Sequence, residues 1–139
     1  MIALIIATHG DFSQEIVKSS EMIFGKQENL EIVTFKIGEG VEDLINKYHE
    51  VIKKLDTEDG VLFMVDLFGG SPFNAASRLM IENNNMDIIA GVNLPMLLEV
   101  YGLRNSHSLQ EIVDIAKNSA IQGVKSFRST ISSNEEDDL

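Results

Sequence analysis

One unbroken apolar run near the start of the chain, residues 2–7, limits what this sequence can fold into. A strand with one wet face alternates polar and apolar residues, so a continuous run predicts a strand covered on both faces. Such strands lie at the centre of parallel sheets. The run stops at Thr8-His9-Gly10-Asp11, and open α/β sheets bind ligands just beyond the carboxyl ends of their strands. His9 is therefore a candidate for chemistry, although a lone histidine is also a common turn residue.

The rest of the chain alternates strand-like and helix-like segments. Residues 60–67 form a second continuous apolar run, whereas residues 41–55 carry their apolar side chains on one helical stripe. This alternation predicts a doubly wound α/β fold, with a mainly parallel sheet and helices on both of its faces. Further strands are predicted over 30–37, 87–92 and, as a short last strand, 123–130; further helices are predicted over 12–26, 72–83, from Asn93 onward and over 108–121.

Length and composition limit the remaining possibilities. The 139 residues suit one domain, predicted over residues 1–130, followed by an acidic tail at 131–139 that is predicted to be disordered. The chain has no cysteine, which excludes disulfides and thiolate chemistry. No apolar run approaches the ~20 residues of a membrane helix, and no signal peptide is recognisable, so a cytoplasmic protein is expected. The net charge of −11 argues against binding to nucleic acid.

A carboxylate, Asp66, stands at the end of the second apolar run. Strands seldom bury an unpaired carboxylate because its desolvation is costly, so Asp66 either faces solvent or has a partner. If its strand neighbours the first strand, Asp66 and His9 meet at the same sheet edge. The carboxylate would then accept the Nδ1 hydrogen of the imidazole and leave Nε2 free to attack. His9 and Asp66 are the predicted catalytic pair.

A small-residue segment, Gly69-Gly70-Ser71, precedes the predicted helix at 72–83. Small residues let backbone N–H groups approach an anion, and a helix N-terminus adds partial positive charge. The hydroxyls of Thr8 and Ser71 are placed to add hydrogen bonds, so Thr8, Gly69, Gly70 and Ser71 are predicted to bind phosphate. A tight turn with Ser71 as helix N-cap, and with Thr8 bonded to backbone, explains the same residues without any ligand.

Several other chemistries are excluded by missing motifs. The sequence has no P-loop, no complete dinucleotide-binding glycine pattern and no nucleophile elbow. Thr8-His9-Gly10 lacks the arginine that precedes the histidine in histidine phosphatases. His49 and His107 are expected to be structural, and three such scattered histidines match no metal-ligand spacing.

Three segments together resemble a known family. They are Ala7-Thr8-His9-Gly10 after the first strand, residues 65–74 (VDLFGGSPFN) and residues 91–96 (GVNLPM). In this order they are similar to the IIA component of the mannose-type sugar phosphotransferase system, the mannose/fructose/sorbose family. The resemblance extends over residues 1–128.

The resemblance implies a phosphoryl carrier. Such proteins accept a phosphoryl group from the phosphocarrier HPr and pass it to a histidine of the IIB component, which phosphorylates sugar entering through a membrane IIC/IID pair. His9 matches the phosphorylated histidine, Asp66 the aspartate bonded to it, and Ser71 a serine beside the phosphate. The family forms homodimers that exchange a C-terminal strand, residues 125–130 here. No cofactor or metal is implied, and the chain looks like a stand-alone IIA.

Two alternatives remain open at this point. The phosphotransferase subunit of dihydroxyacetone kinase shares the fold and uses a similar N-terminal histidine, although Gly69-Gly70-Ser71-Pro72 fits the sugar-transport family better. The second alternative is a non-catalytic regulatory domain that senses phosphorylation or a small anion. It would bind the same partner without passing the phosphoryl group onward.

Overall fold

A computed structural model of the chain describes residues 1–131. These residues form strands and helices in strict alternation up to a final pair of helices. In chain order they are β1 (Ala3–His9), α1 (Phe12–Phe24), β2 (Leu30–Phe35), α2 (Val41–Ile52), β3 (Val61–Val65), α3 (Ser71–Met80), β4 (Met86–Ala90), α4 (Leu94–Leu103) and α5 (Leu109–Gln122).

The four strands make one parallel sheet with the order β2-β1-β3-β4. The two continuous apolar runs are its two central strands. Ala7 of β1 pairs with Val65 of β3, so the residues that follow each strand emerge side by side. On the other flank, His9 is in register with Phe35 of β2. The predicted α/β fold with a parallel sheet is confirmed.

Helices cover both faces of the sheet, and successive residues of β1 point to opposite faces. Leu4 and Ile6 pack in a core with α1, α4 and α5, whereas Ile5 and Ala7 pack in a second core with α2 and α3. Both cores exclude water, which explains why a central strand carries no polar alternation. His9 continues the row of Ile5 and Ala7, so its side chain lies on the α2/α3 side.

The predicted starts of α1, α2, α4 and α5 agree with the structure, and the last two have side-chain caps. Asn93 is the N-cap of α4, with its side chain accepting from the Met96 N–H at 3.0 Å. Ser108 and Glu111 form a reciprocal capping box at the start of α5. The predicted N-cap at Ser71 is wrong. Gly70 has the extended backbone of an N-cap and its carbonyl accepts from Asn74 N–H, so Ser71 is already helical.

The predicted C-terminal strand at 123–130 is not formed. Residues 127–131 are helical instead, and both the N–H and the hydroxyl of Thr130 donate to the Ser126 carbonyl, at 3.0 and 2.8 Å. A strand needs a neighbouring sheet edge to satisfy its backbone, and this exposed segment pairs with none of the four described strands. Residues 132–139, nearly all of the predicted acidic tail, lie outside the described part of the chain.

A buried arginine stabilises the end of the sheet opposite to His9, where β1 and β2 begin. Arg104 follows α4 and is 2% exposed. Its Nη1 donates to the carbonyls of Ile2 and Asn29, and its Nη2 donates to Gln27 Oε1 and the Glu28 carbonyl. Burial lowers the pKa of this guanidinium. The contacts tie α4 to the start of β1 and to the loop before β2.

Candidate active site at the ends of the central strands

The structure brings His9 and Asp66 together, as expected from neighbouring strands. The Nδ1 atom of His9 lies 2.9 Å from Asp66 Oδ2. The backbone N–H of His9 donates to the same oxygen at 2.9 Å, and the N–H of Leu67 donates to Oδ1 at 2.9 Å. Both oxygens of the carboxylate are thus held by hydrogen-bond donors, which fixes the plane of the carboxylate and, through it, the imidazole.

The contact with Asp66 also decides which nitrogen of His9 is available. A carboxylate only accepts hydrogen bonds, so in the neutral imidazole Nδ1 carries the proton and Nε2 keeps its lone pair. The His9 side chain is 45% exposed, whereas that of Asp66 is 15% exposed. The Phe35 ring meets the imidazole edge to face, with centroids 5.6 Å apart. The arrangement is an oriented imidazole that can act as a nucleophile toward a group arriving from solvent.

The loop before α3 approaches the imidazole closely because it has no side chain there. A Cβ added to Gly70 would lie 3.1 Å from Cε1 of His9. The neighbouring Gly69 has a positive φ of 79°, a conformation that glycine adopts without strain. The Asn74 side chain donates to the Gly69 carbonyl at 3.0 Å and holds this turn.

The start of α3 supplies anion-binding groups beside His9. The first turn of a helix leaves its N–H groups without intrahelical acceptors, and Pro72 has no N–H. In α3 this leaves the N–H groups of Ser71 and Phe73, together with the positive end of the helix dipole. Since Ser71 is not the N-cap, its hydroxyl is not needed to cap the backbone. The site can therefore stabilise negative charge near His9.

The hydroxyl of Thr8 has a different environment from that of Ser71. Thr8 is fully buried. Its hydroxyl donates to the His9 carbonyl at 3.1 Å and accepts from the Ser13 N–H at 2.7 Å. It thus satisfies a free N–H in the first turn of α1, where the side chain of Asp11 makes no such bond. Phosphate binding by Thr8 stays a prediction, since both contacts go to backbone.

The other two histidines lie away from this site. His49 is exposed on α2, and the His107 Nδ1 lies 2.9 Å from the Leu103 carbonyl. Within residues 1–131, no group of three histidine, aspartate or glutamate side chains is placed to hold a metal ion. Over the same residues, no helix combines the length and the apolar character needed to cross a membrane.

Comparison with known proteins decides the family. A model of the family described as "PTS system fructose IIA component" matches residues 3–117. The chain belongs to this family. A fructose-specific EIIA component of Bacillus subtilis is 48% identical over 117 residues, which cover 84% of this chain and 80% of that protein. The mannose-specific EIIAB component of Escherichia coli is 45% identical over 128 residues, and the match spans only 40% of its length.

Solved structures of the family have the same fold as this IIA chain. The EIIA component from Streptococcus agalactiae superposes with a TM-score of 0.85 at 31% identity, covering 93% of this chain and 99% of that one. A mannose/sorbose-specific IIA subunit from Enterococcus faecalis superposes with a TM-score of 0.82 at 25% identity, covering 91% and 94%. The resemblance inferred from the three sequence segments is confirmed.

Two features of this IIA site escaped the sequence-based reasoning. Phe35 contacts the imidazole only because β2 pairs with β1 in one particular register. Four exposed apolar side chains also lie in the segments that follow β1, β2 and β3, at Phe12, Ile37, Leu67 and Phe68. Each lies at or near the boundary of a strand or helix, and such a position in the sequence does not by itself indicate a shared surface. What relates these side chains is their common position beyond the carboxyl ends of the strands. That position can be recognised only when the strand order is known.

Proposed function

We propose that this chain is a cytoplasmic phosphoryl carrier of a sugar phosphotransferase system. His9 accepts the phosphoryl group from phospho-HPr and passes it to a histidine of the IIB component, which serves the membrane IIC/IID pair. The contact between His9 Nδ1 and Asp66 Oδ2 carries the proposal, because it leaves Nε2 as the free nucleophile. Family membership supports the same role.

In the proposed reaction, the lone pair of Nε2 attacks phosphorus and forms the new N–P bond. The bond between phosphorus and the donor atom breaks, and the donor atom keeps the electron pair. The imidazole then carries positive charge, which the Asp66 carboxylate stabilises through the Nδ1 hydrogen. Onward transfer to IIB is the same step in reverse, with the IIB histidine as attacking group.

Catalysis in this scheme is positioning together with stabilisation of the phosphoryl oxygens. The N–H groups of Ser71 and Phe73 and the Ser71 hydroxyl are the proposed donors to these oxygens. Gly70 keeps a side chain out of the space beside the imidazole, and Gly69 supplies the positive φ of the preceding turn. The exposed apolar side chains in the segments after β1, β2 and β3 would be covered when HPr or IIB docks, which excludes water from the transfer.

The test is a reconstituted transfer. The purified protein is incubated with phosphoenolpyruvate, enzyme I and HPr, and its intact mass is measured. We expect one acid-labile phosphoryl group on His9, which is lost when a IIB protein is added. The His9→Ala variant should stay unmodified, whereas His49→Ala and His107→Ala should be modified normally. An unmodified wild-type protein in a mixture where HPr itself is phosphorylated would contradict the proposal.

The proposed working form is a homodimer. A groove of about 900 Å³ runs along β4 between α3 and α5, lined by apolar side chains that include Phe73, Met80 and Ile89. Strand β4 is an edge of the sheet formed by the described residues. The segment after α5 exposes Val124 and Phe127, which are 80% and 79% accessible. In the proposed dimer, residues 125–130, of which 127–130 are helical in the described single chain, would extend, pair with β4 of the second copy and fill the groove.

The oligomeric state tests this arrangement. We expect light scattering to give the mass of a dimer for the full chain and that of a monomer for a chain truncated after Gly123. A full chain that is monomeric at micromolar concentration would contradict the exchange. Phe127→Ser provides a variant of unchanged length, and it should weaken the dimer without altering the isolated fold.

A further inference from the structure

A buried tyrosine connects α2 to the helix start beside His9. Tyr48 lies in the second half of α2 and is fully buried. Its hydroxyl donates to the Pro72 carbonyl at 2.8 Å. Its ring packs edge to face against Phe63 of β3, with centroids 5.0 Å apart. The ring of Tyr48 thus packs on the sheet, and its hydroxyl contacts the first turn of α3.

The contacted turn is the one that faces the imidazole. Pro72 directly follows Ser71, and Gly70 at the head of the same turn comes close to His9. Burial, and secondarily the nearby charge of Asp66, raises the pKa of the Tyr48 phenol well above its usual range. The phenol therefore stays protonated, and it remains a hydrogen-bond donor at every pH at which the protein works.

We infer that Tyr48 is a positioning residue for phosphoryl transfer: its hydroxyl holds the first turn of α3 so that the Ser71 and Phe73 N–H groups point at the phosphoryl oxygens on His9. This inference rests on the proposed function. The bond from the Tyr48 hydroxyl to the Pro72 carbonyl ties this turn to α2, in addition to the local bonds that Asn74 makes to Gly69 and Gly70. Displacements of about 1 Å between reacting and stabilising groups have large effects on rate.

A second buried tyrosine provides a matched control. The Tyr101 hydroxyl lies 2.9 Å from the Ser20 hydroxyl, on the opposite face of the sheet between α4 and α1. Tyr101 is also buried, and burial raises the pKa of its phenol. Tyr48→Phe and Tyr101→Phe each remove one buried hydroxyl and keep the ring. Both should lower the urea midpoint of unfolding by similar amounts, so stability alone does not distinguish them.

The experiment measures transfer from phospho-HPr to the wild type and both variants under conditions where all three are folded. We expect Tyr48→Phe to lower kcat by roughly tenfold, because stabilising donors are misaligned rather than removed, and to leave the KM for phospho-HPr within about twofold. Tyr101→Phe should change neither quantity. The ³¹P resonance of the phosphohistidine should shift in Tyr48→Phe and not in Tyr101→Phe.

The possible failures are distinguishable. If the wild type accepts phosphate and the two variants have equal kcat and unshifted ³¹P resonances, Tyr48 is a packing residue and only this inference is overturned. A rise in KM at constant kcat would also overturn it, because that result assigns Tyr48 to partner binding. A wild type that accepts no phosphoryl group from phosphorylated HPr overturns the proposed function and this inference together.

Discussion

Asp66 Oδ2 accepts two hydrogen bonds from a single residue, one from the backbone N–H of His9 and one from its Nδ1, both at 2.9 Å. The pair of contacts fixes the imidazole relative to its own backbone, so rotation of the ring requires that one bond break. The other oxygen, Oδ1, is held by the Leu67 N–H at 2.9 Å. Asp66 is therefore an acceptor at both oxygens, and no neutral side chain of the same shape reproduces this.

Asp66→Asn should slow transfer while the protein stays folded. An amide has one oxygen and one NH₂ group, so the NH₂ must face either the donors of His9 or the Leu67 N–H. If it faces His9, the Nδ1 proton loses its acceptor and the wrong tautomer is favoured. We expect kcat for transfer from phospho-HPr to fall by about 10²-fold. The measurement is single-turnover transfer, with far-UV circular dichroism to confirm folding.

Asp11→Asn is the control for Asp66→Asn. Asp11 lies at the same edge of the sheet and pairs with Lys36 at 2.9 Å, and its side chain is 55% exposed. The Asp11→Asn substitution is the same chemical change, with the same loss of one negative charge, at a side chain that pairs with Lys36 and not with the imidazole. Its transfer rate should stay within about threefold of wild type, since exposed ion pairs contribute little. Equal rates in Asp66→Asn and wild type would remove the orienting role assigned to Asp66.

The pairing of His9 with Asp66 was predictable because each residue ends a continuous apolar run. Two such runs indicate interior strands, and the sequence left their adjacency as a condition; in the four-stranded sheet of the described residues the two interior strands are neighbours. The helix starts at Asn93 and Ser108 were predictable because their capping bonds are local. In both cases the sequence signal was local, although His9 and Asp66 themselves are 57 positions apart.

The contacts that escaped prediction depend on tertiary structure. Tyr48 has the spacing of an ordinary core residue in α2, and only the packing of α2 against α3 brings its hydroxyl to Pro72. Gly70 rather than Ser71 is the N-cap, and its close approach to His9 is a tertiary contact that the local preference for serine does not include. The last strand, predicted over 123–130, pairs with no strand edge in the described single chain, and residues 127–131 are helical there.

Gly70→Ala should impair transfer without unfolding the protein. Gly70 has φ −75° and ψ 173°, so alanine fits its backbone. The added Cβ would lie 3.1 Å from His9 Cε1, which forces the imidazole or the loop to move by a few tenths of an ångström. We expect transfer to slow by roughly tenfold. Single-turnover transfer and a urea midpoint are measured on the same sample.

Gly40→Ala separates this steric effect from the loss of a glycine cap. Gly40 is the N-cap of α2, its backbone is also extended, and the nearest atom to an added Cβ is 4.0 Å away. Both substitutions should alter stability by less than about 1 kcal/mol, the usual scale for an N-cap residue. Only Gly70→Ala should slow transfer. Equal rates in the two variants would show that the imidazole tolerates a methyl group beside it.

Arg104→Met should strongly destabilise the fold and leave the chemistry of His9 unchanged. The substitution removes four hydrogen bonds, one of them to the Ile2 carbonyl in a buried position, and the other three in partly buried positions. We expect a loss of about 3 kcal/mol in the free energy of unfolding, measured by urea denaturation. The control is Arg78→Met, because Arg78 is 56% exposed and pairs with Glu42 at the surface. A loss as small as that of the control would make the Arg104 contacts energetically unimportant.

Stability should depend on pH through Glu39. The ammonium group of Lys47 and then the Lys36 N–H, both bonded to Glu39 Oε1, lower the pKa of this carboxyl from its ordinary 4.5. Because the folded-state pKa is the lower one, the stabilisation is fully present above the unfolded-state pKa. It is lost as the pH falls from about 4.5 through the folded-state pKa. Glu39→Gln removes this dependence, since glutamine does not titrate.

The measurement compares urea midpoints of wild type and Glu39→Gln between about pH 3 and pH 7. The wild type should be the more stable protein at neutral pH, and the difference should shrink as the pH falls below 4.5. Glu50→Gln is the matched control, because Glu50 and Lys53 form a pair in which both side chains are about 70% exposed. Its difference from wild type should be small throughout, since solvent screens such pairs. A Glu39→Gln difference that stays constant across the range would mean that the two hydrogen bonds do not depend on the carboxylate charge.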